Sequence, residues 1–430
     1  MVFKNIKLKF SSLFKTNLVR DTSWIFIGRI FRVIVQAIYF IIIARVLGAE
    51  QYGSFIAVTA LASILFPFIA LGSEHVLVKY VAIDKSLFRV YWCNTLFILI
   101  NHGTILVTIL LLLSPLIFST PISLTTILII LIADLLCLAI LDVCFKALIA
   151  VNLVQKSSEL GIINSISKLI AAVALAVFFE KPTVRIWADL YLLSSLIMAA
   201  AGIILVNELV GKPKPTLSKV KPSIQEGIYF AISASASNIN ADIDKTMLAS
   251  MSTLTATGLY GSAYRFIDVG YVVLSSLFTA SYTRFFQHGA AGIANSLGFA
   301  KRLFPFIVGY GALTLVGYFF FAPLLPKILG AEYTGAVPVL RWLAPLPFIA
   351  SLQFLAADTL TGAGFQRSRS MVQVGAALIN LGLNFWLIPL YSWKGATIAT
   401  LASDSFRAIT LWIMVAYLYR RERKANLINT

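Results

Sequence analysis

Seven basic side chains sit inside long apolar runs of this chain: Arg29, Arg32, Lys168, Lys245, Arg265, Arg341 and Arg407. An ionised group at the centre of a membrane costs roughly 3 kcal/mol or more, so each needs a partner, water or a ligand. Three have an acid three residues away, on the same helical face: Lys245 with Asp242, Arg265 with Asp268, and Arg407 with Asp404. Arg341 lies near the end of its run, where a long side chain reaches the headgroups. Arg29 and Arg32 have no such acid, and with Gln36 they form a polar stripe along one helix. A guanidinium fork grips two phosphate oxygens at once, which a lysine ammonium does not. The stripe fits a phosphate-bearing ligand, or lipid phosphate reached by snorkelling. At about 1.5 Å per residue, Arg29 lies on the order of 9 Å and Arg32 about 13 Å into their run. Lys168 is at similar depth in its own run and joins them as a phosphate candidate, with Arg265 after it.

Asp134 falls near the middle of another run, with no base three or four residues away. A buried carboxylate there is neutralised, paired or used for ion coupling. Pairing with Arg29 or Arg32 is the first expectation, coupling to H+ or Na+ the second. The chain also repeats itself. Tyr52-Gly53-Ser54 returns as Tyr260-Gly261-Ser262, 208 residues on, and the same step carries the apolar runs of the first half onto or near those of the second. It moves Arg29, Arg32 and Gln36 onto Ser237, Asn240 and Asp244, a second polar stripe begun by Ser233. The first stripe is cationic and the second neutral to acidic, so phosphate belongs with the first and Asp244 joins Asp134 as a charge partner or coupling site.

The elements that must position these residues are membrane spans. Hydrophobic residues make up 59% of the 430 and charged ones 12%, against roughly 25% charged in soluble domains. Runs near the 20 or so residues a spanning helix needs cover 23–46, 54–72, 90–113, 122–146, 161–179 and 185–208, then 224–251, 257–285, 302–325, 336–361, 371–391 and 395–419. The expected fold is all-α and polytopic, about twelve spans in two six-helix lobes related by a parallel pseudo-two-fold repeat. Residues 1–22 read as an amphipathic segment on the inner leaflet and 23–210 as the first lobe. A linker with three prolines and four lysines follows at 211–223, then the second lobe at 224–419 and a basic tail at 420–430. No cleavable leader is expected.

The net charge of +17 does not point to nucleic acid. With the first residues inside, 23 of the 35 basic residues fall in inner segments and five in outer ones, the asymmetry that places both termini in the cytoplasm. Cys93, Cys137 and Cys144 lie in expected spans without a CxxC pair, and His75, His102 and His288 are far apart, so neither a disulfide framework nor a metal site is indicated. No phosphate-binding GxxxxGK[ST] loop occurs, and no cofactor is called for.

Three stretches carry a family likeness. ARVLGAEQYGSFIAVTALASILFPFIALG (44–72) resembles a first span ending in L-G-x-x-x-Y-G before a second that closes on glycine. ALINLGLNFWLIPLYSWKGATIATLASDS (377–405) is similar to the pattern N-x-x-x-N-x-x-x-I-P, and DIDKTMLASMSTLTATGLYGSAYRF (242–266) resembles a seventh-to-eighth span hairpin. These resemble the polysaccharide-transport branch of the multidrug/oligosaccharidyl-lipid/polysaccharide exporter superfamily. Ser392 stands where that pattern has glycine. The resemblance implies a flippase, not an enzyme, in the bacterial inner membrane. It would carry undecaprenyl-diphosphate oligosaccharide, such as an O-antigen unit, from the inner to the outer leaflet, with other surface-polysaccharide assembly proteins as partners. The sugars would then meet Gln36, Ser237, Asn240, Asn380 and Asn384, although hydrogen bonding between helices accounts for the asparagines equally well. A drug or organic-cation exporter is the first rival, and its path should be lined by acids and aromatics. A polymerase or ligase acting on lipid-linked sugars is the second, but the outer connections are too short to hold a catalytic constellation.

Overall fold

A computed structural model describes the backbone of residues 17–118 and 122–428 and the side chains of 31–118 and 122–424. The amphipathic reading of the first residues and most of the basic tail therefore lies outside the residues with described side chains. Among the described residues there are helices and no strands. Ten stretches of the described residues are long and apolar enough to cross a membrane. The first, Phe31–Phe68, contains two of the expected spans run together. The expected span at 224–251 is also helical, but it carries Glu226, Asp242, Asp244 and Lys245 and is not among the ten. Helix thus covers most of each of the twelve expected spans, in an all-α polytopic membrane protein.

The helices are α1 (Asn17–Leu65), α2 (Ser73–Ile83), α3 (Phe88–Ile117), α4 (Leu124–Ala150), α5 (Val154–Phe178), α6 (Val184–Leu209), α7 (Val220–Met251) and α8 (Leu254–Gly289). After them come α9 (Ile293–Phe321), α10 (Ala336–Leu343), α11 (Leu346–Gly362), α12 (Gln366–Tyr391) and α13 (Trp393–Ile428). By internal contacts the described chain forms two compact units. One holds residues 17–47, 62–117 and 122–235; the other holds 48–61 and 236–428. The residues just after the first kink are thus counted with the second unit, and the expected linker together with the start of α7 with the first.

Helix breaks in α1 have local causes. Gly48 takes φ 71° and ψ 172°, a conformation that a Cβ disfavours. The helix that restarts there is capped from a distance, because the Glu332 carboxylate accepts the Ala49 N–H at 3.3 Å. Pro67 then removes an N–H, and Leu71 and Gly72 both turn to positive φ. The Ser235 hydroxyl donates to the Ile64 carbonyl at 2.8 Å. The second span was expected to close on Gly72. Instead the chain resumes as α2, an eleven-residue helix that docks on the start of α7. Lys79 and Tyr80 of α2 bond Glu226 of α7, and the His75 ring stacks on Phe230.

In the second unit, the 49–61 arm and α8 cross backbone to backbone. A Cβ on Gly53 would overlap the Leu254 carbonyl oxygen, and one on Gly258 would overlap that of Ala49. Only glycine permits this approach, and both lie in or beside the repeated YGS segments. The linker is not a free loop. The Arg89 guanidinium donates to the Lys212 carbonyl, and the Arg89 carbonyl accepts from the Lys214 N–H, both at 2.9 Å. Buried Asn94 donates to the Thr216 carbonyl and accepts the Lys219 N–H.

Candidate functional site

Four helices of the first unit supply a polar cluster: α1, α4, α5 and α6. On α1, Arg32 is half-buried and its guanidinium lies over Gly161 of α5, where a Cβ would come within 2.9 Å of Nη1. A larger residue at 161 would push the guanidinium away. From Gly161 the same face of α5 runs to Asn164 and Lys168, three and seven residues on. The Asn164 Oδ1 is buried without a hydrogen-bond partner. The Lys168 ammonium donates to the Tyr191 hydroxyl at 3.3 Å and lies 4.7 Å from that ring's centre. Tyr191 in turn donates to Asp134 Oδ1 at 2.7 Å.

Asp134 owes its position to a defect in α4. Residues Ala133–Leu138 make a π-helical turn, a local widening that costs helix geometry and recurs at functional sites. The carboxylate is 7% exposed, so its hydrogen bond to Tyr191 replaces lost water. The Tyr191 ring lies 5.6 Å from that of Trp187, which lies 6.2 Å from Tyr39 of α1. Tyr39 is seven residues beyond Arg32, so the stack fixes α1 against α6 on the side of the cluster.

Among the described residues, the base that reaches Asp134 through a hydrogen-bonded link is Lys168, by way of Tyr191, while Arg32 lies on Gly161. The side chain of Arg29 is outside the described residues. Gln36 is exposed, one turn beyond Arg32.

The second unit has its own buried polar cluster, built on α7. Asp244 Oδ2 accepts from the Tyr260 hydroxyl at 2.5 Å and from Thr400 at 3.3 Å, and Oδ1 accepts the Lys245 N–H at 2.8 Å. Asp244 is 1% exposed. Ser237 accepts from Gln373 at 2.9 Å. Both amide atoms of Asn240 are buried without a partner, each leaving a desolvated group that costs about 1–3 kcal/mol. Asn380 and Asn384 are fully buried instead. Asn380 donates to Ser403 across the α12–α13 contact, and Asn384 donates to Asn380. The Asn380–Ser403 bond joins two helices, whereas the Asn384 bond stays within α12 and leaves its own Oδ1 buried without a partner.

The expected ion pairs along single helices form. Lys245 meets Asp242 and Arg407 meets Asp404 at 2.7 Å, both largely buried, whereas Arg265 meets Asp268 at 4.0 Å with both side chains about half exposed. Ser392 takes φ 54°, so the turn keeps a shape suited to the glycine it replaces, and its hydroxyl bonds Ser252 at 2.6 Å. Tyr191, Tyr260, Thr400 and Asn164 were not foreseen. Their signal was present in the sequence: a hydroxyl or amide in an apolar run needs a partner as an ion does, only less urgently. Among the described residues no three His, Cys, Asp or Glu side chains are grouped to hold a metal.

Comparison with known proteins agrees with this architecture. A solved multidrug resistance MATE family transporter of the MOP superfamily, in its inward-facing conformation, superposes with a TM-score of 0.75. The match is at 13% identity over 93% of this chain and 99% of that one. The lipid II flippase MurJ, inward closed, gives 0.70 at 14% identity, over 93% of this chain and 87% of that one. At such identities the likeness is one of fold. A protein of Escherichia coli (strain K12) that carries the provisional name O-antigen transporter is 25% identical over 207 residues. That is 48% of this chain and 50% of the relative, so about half of its length is matched. The family model described as polysaccharide biosynthesis protein matches residues 18–288, a stretch that includes both polar stripes and the whole Arg32–Lys168–Tyr191–Asp134 cluster. With more than half of its length inside that model, the chain belongs to the polysaccharide biosynthesis protein family.

Proposed function

We propose that this protein is a flippase for undecaprenyl-diphosphate-linked oligosaccharide, an O-antigen or similar surface-polysaccharide unit, moving it from the inner to the outer leaflet by alternating access of two lobes. The observation that carries the reading is the cationic ladder on one unit of a polysaccharide-family membrane protein. Arg32 over Gly161, and Lys168 at the end of the same α5 face, offer two cations to a diphosphate that cannot cross hydrocarbon unpaired. Arg29, one turn before Arg32 in the sequence, and Arg265 are proposed as further phosphate-binding residues. Lys168 is tied to Asp134 through the Tyr191 hydroxyl.

Asn240 supports a sugar contact in the second unit, because its amide is buried and unsatisfied. The proposed lobes are residues 23–210 and 224–419, with both termini in the cytoplasm of a bacterium, as the basic asymmetry suggests. Asp134 and Asp244, each buried on a tyrosine hydroxyl, are the proposed sites of coupling to H+ or Na+. No step of the proposal makes or breaks a covalent bond.

The test is loss of the gene followed by complementation. Lipid-linked oligosaccharide should accumulate on the inner leaflet and surface glycan should vanish. Wild-type protein should restore it. Arg29→Ala or Arg32→Ala should restore roughly a tenth or less at equal protein level, since a charge-assisted hydrogen bond contributes about 1.5–3 kcal/mol. Arg→Lys should recover part of the loss. Intact surface glycan with increased drug sensitivity would instead identify an organic-cation exporter.

A further inference from the structure

Resting on that reading of the Arg32–Lys168 face, we infer that Asn164 is a sugar-recognition residue, holding the sugar next to the diphosphate between the two cations. The geometry is that of one helix face. Gly161, Asn164 and Lys168 stand at positions i, i+3 and i+7 of α5, so their side-chain directions lie within about 60° of one another along about 10 Å of helix. The first position is covered by the Arg32 guanidinium and the third carries the ammonium bound to Tyr191. Between two cations, a family of proteins binding only an anion would gain from a third donor. The residue present is an amide whose carbonyl oxygen is buried and has no donor.

A buried acceptor left unsatisfied is destabilising, and native proteins keep few of them without a reason. A phosphate cannot satisfy it. Ionised phosphate oxygens accept hydrogen bonds and do not donate, and turning the amide over would only bury NH2 in the same place. A sugar hydroxyl both donates and accepts, so adjacent hydroxyls match the Oδ1 and Nδ2 of one amide. The neighbouring side chains leave little else to serve the carbonyl. Ser165 donates to the Gly161 carbonyl, and Ser157 to that of Phe145. Asn164 thus supplies what the flanking cations lack, an acceptor aimed at a neutral polyol. It would make the site select a glycosylated lipid diphosphate over the bare lipid carrier that remains once the glycan has been removed.

The experiment uses the full chain purified in detergent and two probes, farnesyl diphosphate and farnesyl diphosphate bearing one glucose, with affinities measured by native mass spectrometry. Wild type should bind the glucosylated probe about fivefold more tightly, the increment of one or two neutral hydrogen bonds. Asn164→Leu, nearly the same size without polar atoms, should bring the ratio of the two affinities close to one. Asn164→Gln should restore part of it. Asn164→Ser serves as the second truncation if the leucine variant does not fold, and a purely structural role would lower thermal stability without changing the ratio. A wild-type ratio of one, or a ratio unchanged in Asn164→Leu or Asn164→Ser, overturns the inference. Arg32→Ala tests the underlying reading separately, because it should weaken both probes alike. If it weakens neither, the diphosphate site is elsewhere, and the ratio still decides the role of Asn164.

Discussion

Replacing Tyr191 by phenylalanine removes a single oxygen that serves two charges. That oxygen donates to Asp134 at 2.7 Å and accepts from Lys168 at 3.3 Å. No other side chain among the described residues is hydrogen-bonded to Asp134, which is 7% exposed. A hydrogen bond to a charged group contributes roughly 1.5–3 kcal/mol. The longer lysine contact, on a half-buried group, adds about 0.5–1 kcal/mol. Tyr191→Phe should therefore destabilise the protein by about 2–4 kcal/mol. The ring and its contact with Trp187 remain, so little of this comes from packing. In an Asp134→Asn background the tyrosine would donate to a neutral amide, worth about 1 kcal/mol, and the same replacement should cost correspondingly less. The assay is equilibrium unfolding in mixed micelles, run as a double-mutant cycle with a coupling of about 1–2 kcal/mol expected. A Tyr191→Phe cost below about 0.5 kcal/mol, or an equal cost in both backgrounds, would refute the view that this phenol joins the acid to the base.

Two further outcomes are expected. Gly53→Ala and Gly258→Ala each place a methyl group against a backbone carbonyl, which cannot rotate away, so each should destabilise by about 1–3 kcal/mol and lower the thermal midpoint. Gly298→Ala, with open space around its position, is the control and should leave the midpoint nearly unchanged. For topology, reporter fusions should read outside at Thr253 and inside at Lys219, and a reversal at either site would overturn the proposed orientation.

What the sequence determined alone was the part governed by solvent. Apolar runs of spanning length, with basic residues collected between them on alternate sides, define a polytopic helical protein because hydrocarbon satisfies no backbone polar group and helices satisfy their own. The charged pairs at i and i+3 were equally legible, since they depend on one helix only: Lys245 with Asp242 and Arg407 with Asp404 follow from spacing. The direction of Arg32 was legible as a stripe, but not its seat on Gly161, which needs α5 beside α1. Tertiary structure alone decided the partner of Asp134, because Tyr191 lies 57 residues away in the chain and nothing local distinguishes its hydroxyl from those of other buried tyrosines. It also decided that Asn380 bonds Ser403 across a helix contact while Asn164, Asn240 and Asn384 each keep at least one buried amide atom without a partner. All four are asparagines in apolar helices. What separates them is which neighbour the fold brings within about 3 Å, and hydrogen-bond energy falls too steeply with distance and angle for sequence spacing to reveal it.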